Sequence, residues 1–411
     1  MFLKNIAGIE GYEAVSELCA KYRCAEVSGT FPFTEAELDT FSNFAVACNQ
    51  WIKEASTQPL TDIAYFLAQS IIGGNTTSAM DDGMVKSIIE MCGIVAKQQT
   101  QSPINPEIEL LYHVGPQIQE NGAFRASAEH IIKVMFMTVL QSMMAPAEAR
   151  NISMELLALY AAAAHDVGYL GENTLVASNM EKNENETQNT VRSYYENILN
   201  LPKQTIDRAV QALSGESPGE NISAIIAQDV LDNHIAPVTQ DFQCSPSLGL
   251  KMLNAGIIPP EIGPLAAEVL AGTILATDIK QKDINTDFRT AKEWYPVLGL
   301  FHADLVALGA LETALNTIAL GKKGELLLVA PAVQTFLDNR QSKNTGIRLA
   351  AETQFLQSVN DFIGYVARPD IGPALIQGLN QAARRELGEL GELGTTAFYA
   401  RLNQHQHQHQ H

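Results

Sequence analysis

The sequence predicts an all-α fold, and three observations carry that prediction. Apolar residues recur at helical spacing, as in Leu38, Phe41, Phe44, Ala45, Cys48, Trp51 and Ile52. Alternation of apolar and polar residues, the mark of a half-buried strand, is hard to find. The breaks between apolar stretches are short and rich in Gly, Pro and Asn, such as Gly73-Gly74-Asn75 and Ser102-Pro103-Ile104-Asn105-Pro106.

The elements follow in order. Residues 34–54 open on a Thr34-x-x-Glu37 capping box, in which each side chain satisfies a backbone amide of the other's turn. Residues 60–72 and 84–97 repeat the helical pattern on either side of the Gly73-Gly74 loop. A short helix is expected over 107–113, then one from about Ser127 to Met144, whose Met135, Met137, Met143 and Met144 read as core filling. Residues 155–165 form a small-residue helix, its alanines permitting close approach of neighbours. The polar run 180–189 reads as a solvated loop. Helices are expected over 190–199, 204–213 and 222–234, with residues 214–219 as a turn, and then over 264–280, 294–319, 326–337 and 347–366.

Composition sets limits on function. The formal charge of -19, from 27 basic and 46 acidic residues, disfavours nucleic acid as a partner, because that affinity rests on Lys and Arg neutralising phosphates. Five scattered cysteines (Cys19, Cys24, Cys48, Cys92, Cys244) show no Cys-x-x-Cys pair, so neither a disulfide framework nor a zinc knuckle is indicated. No stretch reaches the roughly 18 apolar residues of a membrane helix, and the first ten residues lack a signal peptide's basic start and apolar run. The expectation is a soluble, cytoplasmic protein with no membrane partner.

The histidines point to chemistry. Four of the nine, His405, His407, His409 and His411, alternate with Gln and resemble an added tag. The other five, His113, His130, His165, His234 and His302, all fall in the central span. His165 and Asp166 close the alanine helix and are followed at once by Gly168 and Gly171, which lets two metal ligands reach a cavity before the chain turns away. Imidazole and carboxylate are the donors that hold water-activating divalent metals, and Asp304 stands close to His302 further on.

These blocks resemble, in order, the catalytic domain of the class I 3',5'-cyclic nucleotide phosphodiesterases within the HD-domain superfamily. His165-Asp166-Val167 with Gly171 is similar to the family's His-Asp-x-Asp-His-x-Gly segment, with Gly168 and Tyr169 in place of its second Asp and His. Val230-Leu231-Asp232-Asn233-His234 resembles its Leu-Glu-Asn-His block. Ile274-Leu275-Ala276-Thr277-Asp278 resembles its Leu-Ala-Thr-Asp block, and His302-Ala303-Asp304-Leu305 its Cys-Ala-Asp-Leu block. Residues 355–363 are more loosely similar to the helix that closes the nucleotide pocket.

The resemblance implies a compact multi-helix HD-domain phosphodiesterase-like fold, with an N-terminal helical part (1–105) packed on the core, a catalytic region (106–403) and the His-Gln tail (404–411). It implies two divalent metal ions (Zn, Mn, Mg or Fe), with His130, His165, Asp166 and Asp304 as metal ligands and Asp166 bridging to the second ion. Asp232 and His234 would support them. The position four residues before His130, where the family keeps its proton donor, is Ala126, which leaves His113 as the candidate acid. Gln354 and Gln357 both stand near the place of the base-recognising glutamine, and Phe362 would face the substrate. The implied substrate is a small phosphodiester, a cyclic nucleotide hydrolysed to its 5'-monophosphate, and a homodimer is compatible with this. An HD-fold phosphohydrolase for another phosphoester, including a protein-linked one, and a non-catalytic HD-fold binding protein are the alternatives.

Overall fold

The computed structural model describes residues 3–23, 34–101, 128–145, 150–168, 184–215, 218–235 and 266–275, together with Ala147 and Thr277. A 3-10 turn, Ile6–Gly8, precedes α1 (Tyr12–Arg23), α2 (Glu35–Ala55), α3 (Leu60–Ile72), α4 (Ala79–Gln101), α5 (Ala128–Met144), α6 (Ile152–Ala164), α7 (Glu184–Asn197), α8 (Lys203–Ala212), α9 (Pro218–His234) and α10 (Ala266–Leu275). Among the described residues no strand occurs, and the all-α reading holds there. None of the described helices is long and apolar enough to cross a membrane.

Local chemistry explains most boundaries. The predicted capping box opens α2: Thr34 accepts from the Glu37 amide and Glu37 from the Thr34 amide. Gly73 ends α3 in the left-handed region at φ 56°, a conformation that costs glycine little. Helix α4 begins five residues earlier than the periodicity predicts because Ser78 and Asp81 cap it reciprocally, with Ser78 N to Asp81 Oδ2 at 3.0 Å and Asp81 N to Ser78 Oγ at 3.2 Å. Two expectations are corrected. Residues 184–189, expected as loop, form the start of α7; Glu and Gln are good helix formers, and acidic residues suit a helix N-terminus. The expected turn 214–219 is cut short because Pro218, whose fixed φ suits the first helical position, begins α9.

Helix α6 is the axis of the described structure. Every residue from Met154 to Ala164 is buried, and α3, α4, α5, α9 and α10 all pack against it. A helix apolar on all sides needs neighbours on all sides, and its four consecutive alanines let them approach closely. Its one charged residue, Glu155, is fully buried and answered by Arg150, with Nη2 at 2.6 Å and Nε at 3.0 Å from Oε1. One apolar core takes in described residues from Ile6 to Leu275, so α1 to α4 belong to the same core as the later described helices. Met135 and Met137 are fully buried and Met144 nearly so, as predicted.

Hydrogen bonds fix the helix directions. Ser153 at the start of α6 donates to Asp81 at the start of α4, and Gln98 near the end of α4 donates to the Val167 carbonyl just beyond the end of α6, at 2.7 Å. Helices α4 and α6 therefore run parallel. Helix α9 is antiparallel to both: its first turns meet Gly168, its Ala227 carbonyl accepts from Tyr160 in mid-α6, and His234 at its end meets Glu90 of α4. Helices α5 and α6 pack together and are joined only by residues 145–151, which makes them an antiparallel pair.

Candidate metal centre

The alanine run brings His165 to the C-cap of α6, where its backbone is still helical at φ -60° and ψ -27°. Its ring is fully buried. Nδ1 lies 2.7 Å from the Ala162 carbonyl oxygen, so the ring proton belongs on Nδ1, donating to that carbonyl. This directs the Nε2 lone pair the other way, toward Asp166 Oδ2 at 3.1 Å. Asp166 is also buried, with 8% of its surface exposed.

A metal-ligating histidine commonly donates its second ring N–H to a carbonyl, which sets the tautomer and aims the other nitrogen. Donors about 2.0 to 2.2 Å from one metal are roughly 3 Å apart when adjacent in its coordination sphere. The His165 and Asp166 donors meet both conditions. The same contact also suits an imidazolium–carboxylate pair.

The turn after the pair is clamped from two sides. Gln98 of α4 holds the Val167 carbonyl, and Ser223 Oγ of α9 accepts from the Gly168 amide at 2.9 Å while donating to the Gly219 carbonyl at 2.8 Å. A Cβ on Gly168 would lie 2.6 Å from the Gly219 carbonyl oxygen and 2.6 Å from the Ser223 amide nitrogen. Only glycine fits there. The glycine at position 168 thus has a local cause, since α9 crosses where a larger side chain would stand.

The antiparallel pairing of α5 and α6 puts the first turn of α5, which carries His130, at the same end of the bundle as His165 and Asp166. Lys133, one turn further along α5, is buried with 8% exposure, a feature the sequence reading passed over. Gln98 and Ser223 were passed over too. Nothing local in the sequence marks them, because their partners lie 69 and 55 residues away.

Asp232 and His234 are not brought to this end. From Ser223, beside Gly168, to His234 is eleven residues of α9, or ~17 Å at the helical rise. Along α4, from Gln98 beside Val167 to Glu90 beside His234, the separation is ~12 Å by the same rise. The predicted support group and the His-Asp pair therefore occupy different ends of the bundle. His113, Asp304, Gln354, Gln357 and Phe362 lie outside the described residues, as does Ala126. Among the described residues no group of three or more His, Cys, Asp or Glu could hold a metal ion.

No family model, curated protein or solved structure matches the chain. The reading of this centre rests on its own residues.

At the other end, His234 Nε2 contacts Glu90 Oε2, and Arg208 Nη1 of α8 lies 3.6 Å from Asp229 Oδ1. Asp232 lies between Asp229 and His234 along α9, with its Oδ1 buried and, among the described residues, without a hydrogen-bond partner. Burial first, and the neighbouring Asp229 carboxylate second, push its carboxyl up to about 6 against the pull of Arg208.

Proposed function

We propose that the chain is a metal-dependent phosphodiesterase acting on a small phosphodiester, with a 3',5'-cyclic nucleotide as the first substrate to try. The observation that carries this reading is the His165–Asp166 pair, in which Nδ1 is tied to the Ala162 carbonyl and the Nε2 and Oδ2 donors stand 3.1 Å apart. His165 and Asp166 would hold the metal with His130 and Asp304. Divalent ions bound there supply Lewis acidity, which makes water a nucleophile near neutral pH and offsets charge on phosphoryl oxygens. In this reading α6 keeps the imidazole in one tautomer, and Gln98 and Ser223 hold the following turn so that the two donors keep their spacing. Asp232 and His234 stay outside the centre.

The test uses the chain with its His-Gln tail removed, since that tail binds metal itself. Elemental analysis should find a divalent metal in stoichiometric amount, lost in His165→Ala and in Asp166→Ala. With added Mn or Mg the unaltered chain should hydrolyse a cyclic nucleotide or a generic aryl phosphodiester. Absence of both stoichiometric metal and turnover defeats the proposal. Turnover restricted to another phosphoester would favour the broader HD-fold phosphohydrolase.

A second reading is a binding protein that keeps the helical scaffold without turnover. It is favoured by the full burial of His165 and by the packing at Gly168, which leaves no room for a second carboxylate after the pair. Stoichiometric metal without hydrolysis of any phosphoester would select it.

A further inference from the structure

The cluster at the C-terminal end of α9 has no part in the proposed centre, yet it gathers ionisable groups from four helices. We propose that this end of α9 is an acid-strengthened latch onto α4 and α8, held more tightly near pH 5 than near pH 7.5.

Two contacts form the latch. Toward α4, the His234 ring meets the Glu90 carboxylate, and the backbone beneath it is close-packed: a Cβ on Gly83 would lie 2.9 Å from the His234 carbonyl oxygen and 2.9 Å from Ile235 Cγ1. Toward α8, Arg208 reaches Asp229 at 3.6 Å and Gln228 Oε1 at 3.3 Å. Asp232 lies on the same helix end, with one carboxylate oxygen buried and, among the described residues, unpaired. An unpaired buried oxygen carrying charge is costly, and protonation removes that cost.

The ionisable groups of α9 and of the helices packed against it explain the direction. Asp232's own helix contributes Asp229, a like charge, and His234. Helix α8 contributes Arg208, whose charge acts on Asp232 against the upward push. From α4 comes Glu90, with exposed Lys86 one turn before it. From α6 comes Tyr160, whose phenol is raised by burial and then by Glu90, Asp229 and Asp232. In α10 the sole ionisable residue is Glu268, a buried carboxyl that is itself raised by burial. Negative groups therefore prevail around Asp232. Proton uptake there relieves the repulsion with Asp229 and removes the cost of a charged oxygen that is buried and unpaired among the described residues.

The folded Asp232 binds its proton more tightly than an exposed aspartate does. Its contribution is complete below the ordinary value of 3.8 and is lost as pH rises through about 6. If opening the latch exposes Asp232, closing is favoured about tenfold more at pH 5 than at pH 7.5 at full effect, and about fivefold once its partial exposure to water is allowed for. This holds whether or not the chain hydrolyses phosphodiesters.

The test is amide hydrogen exchange on the whole chain at pH 5 and pH 7.5, corrected for intrinsic rates. A peptide spanning 224–235 reports on the latch, and one spanning 156–164 in α6 is the control. The α9 peptide should be about five- to tenfold better protected at pH 5, with the α6 peptide changing less than twofold. Asp232→Asn should reduce the α9 response to less than threefold. Should that variant fold poorly, Glu90→Gln provides the second measurement, because it alters the carboxylate that His234 meets and should lower protection of the α9 peptide. An unaltered pH response in Asp232→Asn, unaltered α9 protection in Glu90→Gln, or an equal response in the α6 peptide overturns the latch.

Discussion

Replacing Gly168 by alanine tests the placement of the His-Asp turn more sharply than any change to the pair itself. The added methyl would stand 2.6 Å from the Gly219 carbonyl oxygen, 2.6 Å from the Ser223 amide nitrogen and 2.8 Å from Ile222 Cβ. Two of these three atoms are helix backbone, so no side chain can swing aside, and either α9 or the 165–168 turn has to move. Overpacking of this kind costs about 2 to 3 kcal/mol. Gly93 in α4 gives the opposite expectation, because its Cβ would meet nothing within 4 Å; there alanine should gain ~0.5 to 1 kcal/mol through helix propensity. Gly83, whose Cβ would press on the His234 carbonyl oxygen at 2.9 Å, should fall between them. Urea unfolding followed by far-UV circular dichroism gives the three values on one scale. A Gly168→Ala protein within about 0.5 kcal/mol of the parent would refute the close crossing of α9 over the turn.

Two further outcomes follow from burial. Arg150→Ala removes the guanidinium from the fully buried Glu155, whose carboxyl burial already raises, and should cost about 2 to 3 kcal/mol at pH 8. The loss should shrink toward pH 5, since the stranded carboxyl then takes up a proton; thermal unfolding at the two pH values checks this, and a loss independent of pH counts against it. Burial also raises the Cys48 thiol well above its usual range and the Cys92 thiol to about 12, so both should resist a thiol-disulfide reagent in the folded chain and react on unfolding. Rapid native labelling at either residue would contradict the core assignment of α2 or α4.

Helix existence was legible in the sequence because it is written locally. The Thr34-x-x-Glu37 box, the Gly73 stop and the apolar spacing of α2, α3 and α5 each depend on residues within one or two turns. The misplaced boundaries were also local but subtler: Ser78 with Asp81 is a capping box using Asp, and Pro218 is a helix starter that resembles a turn residue. The site was legible only in part. A His-Asp pair after an alanine helix identifies a helix end, but whether Asp232 and His234 reach that end depends on which way α9 runs. That direction is set by Ser223 with Gly168 and His234 with Glu90, pairs 55 and 144 residues apart, and no spacing rule reads such pairs from one chain.

The direction of α9 also decides which side chains can stand beside the His-Asp pair. Because α9 enters at Gly168 and leaves at Glu90, its first turns, with buried Glu220, occupy the space beyond the His-Asp pair, and its Asp229, Asp232 and His234 gather at the opposite end. A second Asp at position 168 would collide with Gly219 and Ser223, so the glycine and the crossing helix require each other. An aspartate introduced at position 168 would therefore not add a carboxylate to the centre. Gly168→Asp should be more damaging than Gly168→Ala, since it adds a buried charge to the same steric conflict. In the proposed centre, His165 and Asp166 would hold metal together with His130 of α5 and Asp304.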